Sequence, residues 1–283
     1  MAMRIDAHQH YWQPQRGDYG WMPRDNATLN RAYGPRDLEP LLDRHGIDAT
    51  VLVQAAPTVA ETEYMLGLAD GSDRVAGVVG WVDFEDPGAR ETLARLAGHP
   101  AFKGVRPMIQ DIPDDGWMLR EDVQWAYRAI CDLDLIFDAL GFPRHLENFL
   151  TLVQRYPDMR VVVDHCMKPQ IRDHSDAGFA QWAEGISRIA ATGAYCKLSG
   201  LVTEANADWS VADLQPYVDH VLQAFGPARV MWGSDWPVCR LASEYDRWLA
   251  AAEALTAGLS GADKARIFGG TATEFYRLKT LAR

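Results

Sequence analysis

The chain of 283 residues has only four cysteines, Cys131, Cys166, Cys196 and Cys239, and no Cys-x-x-Cys pair. That scarcity argues against a disulfide framework and predicts reduced thiols, as in a cytoplasmic protein. No apolar run reaches membrane-spanning length and the opening residues lack an apolar signal stretch, so a cytoplasmic location and no membrane partner are expected. Basic runs are missing too. Lys and Arg number 28 against 39 Asp and Glu, a net charge of -11, which speaks against nucleic acid as a ligand. A Gly-x-Gly-x-x-Gly turn after the first strand is absent, which disfavours an open, doubly wound sheet. With no repeat, low-complexity tract or linker in view, residues 1–283 read as one domain.

What the chain does have is 48% hydrophobic residues, ten tryptophans and a sustained alternation of two patterns. Short β-branched runs predict strands at 4–8, 49–54, 75–82, 102–107, 133–138, 160–164, 194–198 and 230–234. Amphipathic stretches predict helices at 35–45, 58–70, 87–98, 119–132, 144–156, 177–192, 211–225, 243–257 and 261–278. Asp86-Pro87 has the form of a cap followed by a first-turn proline, and Pro216 predicts a kink or a late helix start. Eight strands each followed by a helix predict an α/β fold, a closed (β/α)8 TIM barrel with an extra C-terminal helix. The irregular stretch 11–34, with Trp12, Tyr19, Trp21 and Tyr33, reads as a long aromatic βα loop or lid.

In such a barrel, chemistry sits where strands end. The first strand ends in His8-Gln9-His10, and a period of two can aim both imidazoles at one point. The sixth ends in Asp164-His165 and the eighth leads into Asp235, beside the first strand once the barrel closes. Three neutral imidazoles and a carboxylate suit one divalent, zinc-like ion, and a carboxylate beside a water can take its proton. His8, His10, His165 and Asp235 are therefore the predicted metal ligands, with Asp235 and His165 also catalytic. Arg106, in Gly104-Val105-Arg106-Pro107, is the predicted oxyanion partner. Further strand ends carry Gln54, Asp83, Asp138 and Lys197. Trp12, Gln54, Asp83, Lys168 and Trp236 are the predicted substrate contacts, with Trp21, Trp81 and Trp117 as additional aromatic surfaces.

Five segments carry a family resemblance: 6–12 (Asp-Ala-His-Gln-His-Tyr-Trp), 104–107 (Gly-Val-Arg-Pro), 164–169 (Asp-His-Cys-Met-Lys-Pro), 197–201 (Lys-Leu-Ser-Gly-Leu) and 233–237 (Gly-Ser-Asp-Trp-Pro). Together they resemble the amidohydrolase superfamily, in its amidohydrolase 2 branch, over essentially the whole chain. The resemblance is strongest to lactonases acting on sugar acids, such as those opening L-fuconolactone or L-rhamnonolactone. It implies Asp235 as general base, with His8, His10 and His165 as metal ligands or carbonyl-orienting groups. The two-metal pattern of the wider superfamily is broken, because Arg106 and Lys197 stand where it needs a bridging ligand and a late histidine. Two alternatives stay open at this point: one divalent ion, or metal-free attack on an activated ester. The expected partner is a small-molecule sugar lactone, acted on by a monomer or a homo-oligomer. Decarboxylation of an unsaturated acid, for which Arg106 and Arg240 are the available arginines, and a non-catalytic sugar-binding barrel are the competing readings.

Overall fold

A computed structural model describes residues 3–279. Strands β1 (Ile5–Gln9), β2 (Ala49–Val53), β3 (Val75–Gly80), β4 (Phe102–Val105), β5 (Ile136–Ala139), β6 (Arg160–Val163), β7 (Tyr195–Leu198) and β8 (Val230–Trp232) pair in chain order. Every pairing is parallel. Between them run α1 (Pro35–His45), α2 (Val59–Asp70), α3 (Ala89–Ala97), α4 (Gln124–Asp132), α5 (Leu146–Arg155), α6 (Asp176–Ala191), the short α7 (Leu201–Glu204) and α8 (Val211–Phe225); α9 (Tyr245–Leu255), α10 (Gly261–Ala265) and α11 (Thr271–Phe275) follow β8. This is the expected (β/α)8 barrel. The strands are mostly apolar on both faces, because one lines the interior and the other meets the helices, and the polar residues Asp6, His8, Gln9, Asp138 and Lys197 among them are buried. In α5, Leu146, Phe149, Leu150, Leu152 and Val153 form the buried stripe, each contributing about 1.5–3 kcal/mol by burial.

The seam between β8 and β1 closes just past the end of β8. His10 N donates to Trp236 O (2.7 Å), Asp235 N to His8 O (2.8 Å), and Ser234 N to Asp6 Oδ1 (2.8 Å). Gly233 is required there: a Cβ would sit 2.6 Å from that of His8.

Four local expectations need correction. The third helix begins after Gly88 rather than at Pro87; Asp86 Oδ1 accepts from Gly88 N in a local turn instead of capping the helix. The fourth begins only at Gln124, because 117–123 is wound into tight 3-10 turns. α8 runs through Pro216 from Val211 without a break. The C-terminal stretch is not one helix: a wide turn at Arg266–Gly270 separates α10 from α11. Here the chain entering β1 comes too close for a side chain, since a Cβ at Gly269 would lie 1.8 Å from Met3 O. The segment closes the N-terminal end of the barrel. Ala272, Phe275 and Tyr276 pack with Ile5, Ala7, Val51, Val79 and Met231 inside it, and Arg160, at the start of β6, donates to Phe275 O (2.7 Å).

Candidate active site

β1 carries the feature that aims the histidines. Asp6 points outward, accepting from Tyr245 Oη at the start of α9 (3.3 Å), so strict alternation would also send His8 and His10 outward. A bulge reverses this. Register advances from Asp6 to Gln9 while β2 advances only from Thr50 to Leu52, and the extra residue flips the side chains beyond it. His8 and His10 then face the interior, both buried.

His165 arrives by another device. After β6 the four residues His165, Cys166, Met167 and Lys168 all have positive φ, from 48° to 59°. Such a run costs roughly 1–2 kcal/mol per non-glycine residue, and surrounding bonds hold it. Trp182 Nε1 donates to Cys166 O (2.8 Å), Cys166 Sγ to Lys197 O (3.4 Å), and Lys168 N to His165 O (2.8 Å). His165 Nδ1 meets Ser199 Oγ at 2.8 Å. Gly200 leaves space for the ring, since a Cβ there would fall 2.6 Å from His165 Cγ. Asp235, also left-handed at φ 56°, completes the set.

The Nε2 atoms of His10, His8 and His165 lie 3.2, 3.7 and 3.9 Å from one oxygen, Asp235 Oδ1. Residues from β1, β6 and β8 thus converge as expected. Burial pushes the Asp235 carboxyl up, but the His165, His10 and His8 rings around it outweigh that and hold it below the usual carboxylate range. Burial, opposed by Asp235 and Asp164, brings His165 down to about 4. His8 is pushed well below an ordinary histidine by burial and by Lys197. At neutral pH the centre therefore holds a carboxylate with neutral rings at His8 and His165.

A buried ionic quartet underlies it. Lys197 Nζ reaches Asp138 Oδ2 (2.5 Å), Asp164 Oδ1 (3.1 Å) and His8 Nδ1 (3.1 Å). Arg106 Nη1 reaches Asp164 Oδ2 (3.2 Å) and His8 Nε2 (3.3 Å); its Nη2 donates to Gln54 O and Oε1. Tyr276 Oη donates to the Asp138 carboxylate (3.0 Å to either oxygen). Two cations and two carboxylates cancel, which leaves Asp235 as the excess negative charge. Four of the five Arg106 donors are committed, and Nε–H alone has no partner among the described residues.

His10 shows what that excess charge requires. Its Nδ1 lies 2.7 Å from Val53 O, and a carbonyl only accepts, so Nδ1 carries the proton. In the neutral ring, Nε2 then aims a lone pair at Asp235 Oδ1. Two acceptors 3.2 Å apart need a proton or a cation between them. The donor set fits a divalent cation. Two ligands about 2.1 Å from a tetrahedral ion stand roughly 3.4 Å apart, close to the spacings around Asp235 Oδ1, and the potential ligand atoms of His8, His10 and Asp235 lie within 4.8 Å of one another.

The opening above is a chamber of about 140 Å³ whose walls include His10, Trp12, Trp21, Arg106, His165, Lys168 and Asp235. Trp12 is fixed by Nε1 bonds to Leu29 O and Arg31 O, and Lys168 Nζ donates to Gln110 Oε1 (2.7 Å). Three expected substrate contacts are elsewhere. Gln54 is fully buried and spends its amide on Arg106, donating to Arg106 O (2.8 Å) as well as accepting from Nη2. Asp83 is exposed, because β3 ends at Gly80 and the loop has already left the rim. Trp236 packs against Tyr11 and Tyr33 rather than lining the chamber. Arg240 is held by Tyr33 Oη and Glu244, so Arg106 is the only arginine in the chamber wall among the described residues. Tyr276, Ser199 and Gln110 also support the site, through Asp138, His165 and Lys168. Of the three, only Ser199, inside the 197–201 segment, carries a signal in the sequence.

The amidohydrolase sequence profile matches residues 5–278. The chain belongs to the amidohydrolase family. This amidohydrolase is 45% identical over 284 residues to an L-fucono-1,5-lactonase of Burkholderia ambifaria, covering 98% of this chain and 97% of the relative. It is 36% identical to an L-fucono-1,5-lactonase of Burkholderia multivorans, covering 98% and 97%. A crystal structure of an amidohydrolase from Burkholderia multivorans with bound Zn superposes with a TM-score of 0.93 at 36% identity, covering 98% and 100% of the two chains. Among the described residues no helix is long and apolar enough to cross a membrane.

Proposed function

We propose that this amidohydrolase opens the lactone of a sugar acid to the free acid, with L-fucono-1,5-lactone preferred among the simple, unsubstituted aldonolactones. The observation that carries the reading is the convergence of three imidazole Nε2 atoms on a single buried, ionised carboxylate oxygen beneath a chamber walled by tryptophan. Similarity to two lactonases over nearly the full length, at 45% and 36% identity, supports the substrate class.

Asp235 takes a proton from water as the oxygen attacks the lactone carbonyl. Arg106, through its uncommitted Nε–H, and Lys168 supply positive charge for the oxyanion. Collapse breaks the bond from the carbonyl carbon to the ring oxygen, and Asp235 returns its proton to that oxygen. Water and lactone are consumed and the hydroxy acid is released. Trp12 and Trp21 pack the CH face of the ring. Lys197 and Gln54 hold His8 and Arg106 in place. A divalent ion, zinc-like by its donors, would be held by His8, His10 and Asp235, with His165 beside them, and would supply Lewis acidity. The four free thiols suit a reducing cytoplasm.

A panel of aldonolactones read with a pH indicator, with and without a chelator, tests this. L-fucono-1,5-lactone should release acid fastest, and acid release from none of the panel refutes the proposal. Loss of turnover to the chelator and its return with Zn would establish the ion's role.

A further inference from the structure

A second cavity of about 710 Å³ adjoins the chamber on the same rim, between the connections that follow β1, β3 and β4. Trp21, Met108 and Asp111 line both spaces, so the two share a wall. Its walls are unlike those of the chamber. Trp21, Trp81 and Trp117 present aromatic surface, while Asp83, Glu85 and Asp111 supply oxygens. Trp117 Nε1 is anchored on Glu85 Oε1 (3.1 Å) and Trp21 Nε1 on Ala55 O (2.6 Å). The half-buried Trp81, by contrast, has no hydrogen-bond partner for its indole N–H among the described residues. Among the described residues Asp83 engages only Oδ1, with Glu85 N (2.9 Å).

Flat aromatic faces beside acceptor-only carboxylates and a free N–H match a pyranose, which offers CH faces, hydroxyl donors and hydroxyl acceptors. An anionic ligand is disfavoured, because Asp18, Asp83, Glu85, Asp111 and Asp114 outnumber Arg120 in the wall, and Arg120 is already paired with Glu85 and Asp122. The chamber itself, at about 140 Å³, falls well below the roughly 300–1,000 Å³ of an ordinary ligand site. It has room for the reacting ring and little more, and the space across Trp21, Met108 and Asp111 offers room for a substituent on that ring. We infer that the larger cavity is a second sugar subsite, and that this amidohydrolase takes lactones carrying a glycosyl unit, with the lactone ring in the chamber and the pyranosyl group against Trp81. The inference rests on the lactonase reading above.

The test compares a set of aldono-1,5-lactones, each as the parent and as its 4-O-pyranosyl derivative, by kcat/KM. For a parent that is turned over, the glycosylated partner should be hydrolysed roughly tenfold more efficiently, the size of one good aromatic contact. Trp81→Ala should abolish that advantage while changing kcat/KM on the parent less than twofold. Asp83→Asn, at an exposed site that threatens no folding, should reduce the advantage in part. Equal or slower hydrolysis of every glycosylated partner overturns the inference and leaves the lactonase reading standing. An equal loss on both substrates in Trp81→Ala overturns it as well. Hydrolysis of no parent and no derivative sinks both.

Discussion

Asp235 is the residue on which the chemistry turns, and the environment that keeps it ionised also limits what can replace it. Asparagine fills the same volume and can still bond to His10, but it cannot accept water's proton. Asp235→Asn should therefore lower kcat by about 10²–10⁴-fold, the usual worth of a positioned base. Lactone binding, followed by tryptophan fluorescence, should persist. A kcat within tenfold of the parent enzyme would remove Asp235 from the base role. The residues around it show how far sequence alone reaches. Spacing by two brought His8 and His10 together on paper, yet in the fold that depends on a bulge that no side-chain pattern announces. Gln54 sits at a strand end as expected but faces Arg106, because an arginine with five donors needs acceptors that only a neighbouring strand can offer.

Among the elements, the connection from β2 to α2 is held by one buried carboxylate. Glu61, in the first turn of α2, accepts from Ala55 N (3.1 Å) and Ala56 N (2.8 Å). Burial nevertheless lifts it to about 7, against 4.5 for the free side chain. Between those values the folded protein keeps a proton that the unfolded chain has lost, so stability falls as pH rises through the window. The full effect is on the order of 3 kcal/mol, absent below pH 4.5 and complete above pH 7. Melting temperature measured from pH 4.5 to 7.5 should decline more steeply for the parent than for Glu61→Gln. Parallel curves would show that Glu61 does not titrate in this range. Strand and helix order were readable because hydrophobic period follows directly from packing. Asp83 lies off the rim because β3 stops at Gly80, where the side chain of Thr62 in α2 packs so close that a Cβ would lie 2.4 Å from its Cγ2.

At the scale of the whole molecule, the two ends of the barrel are coupled. Tyr276 rises from the segment that plugs the N-terminal end and bonds to Asp138, which holds Lys197, which in turn holds His8. Nothing in the sequence around residue 276 points to this, because a tyrosine in a helical pattern looks like ordinary core. Tyr276→Phe removes one donor from a buried carboxylate and should cost about 1–3 kcal/mol in chemical denaturation. It should also reduce kcat with little change in KM, since the residue touches no substrate. An unchanged kcat would confine Tyr276 to a structural role.

That reach also sets an order of events during synthesis. All eight strands leave the ribosome before Tyr276 does, so the nascent barrel can close while Asp138 still lacks its tyrosine donor. Only when the plug docks does the hydrogen-bonded chain beneath His8 become complete, which ties the maturation of the catalytic centre to a segment that emerges after every strand.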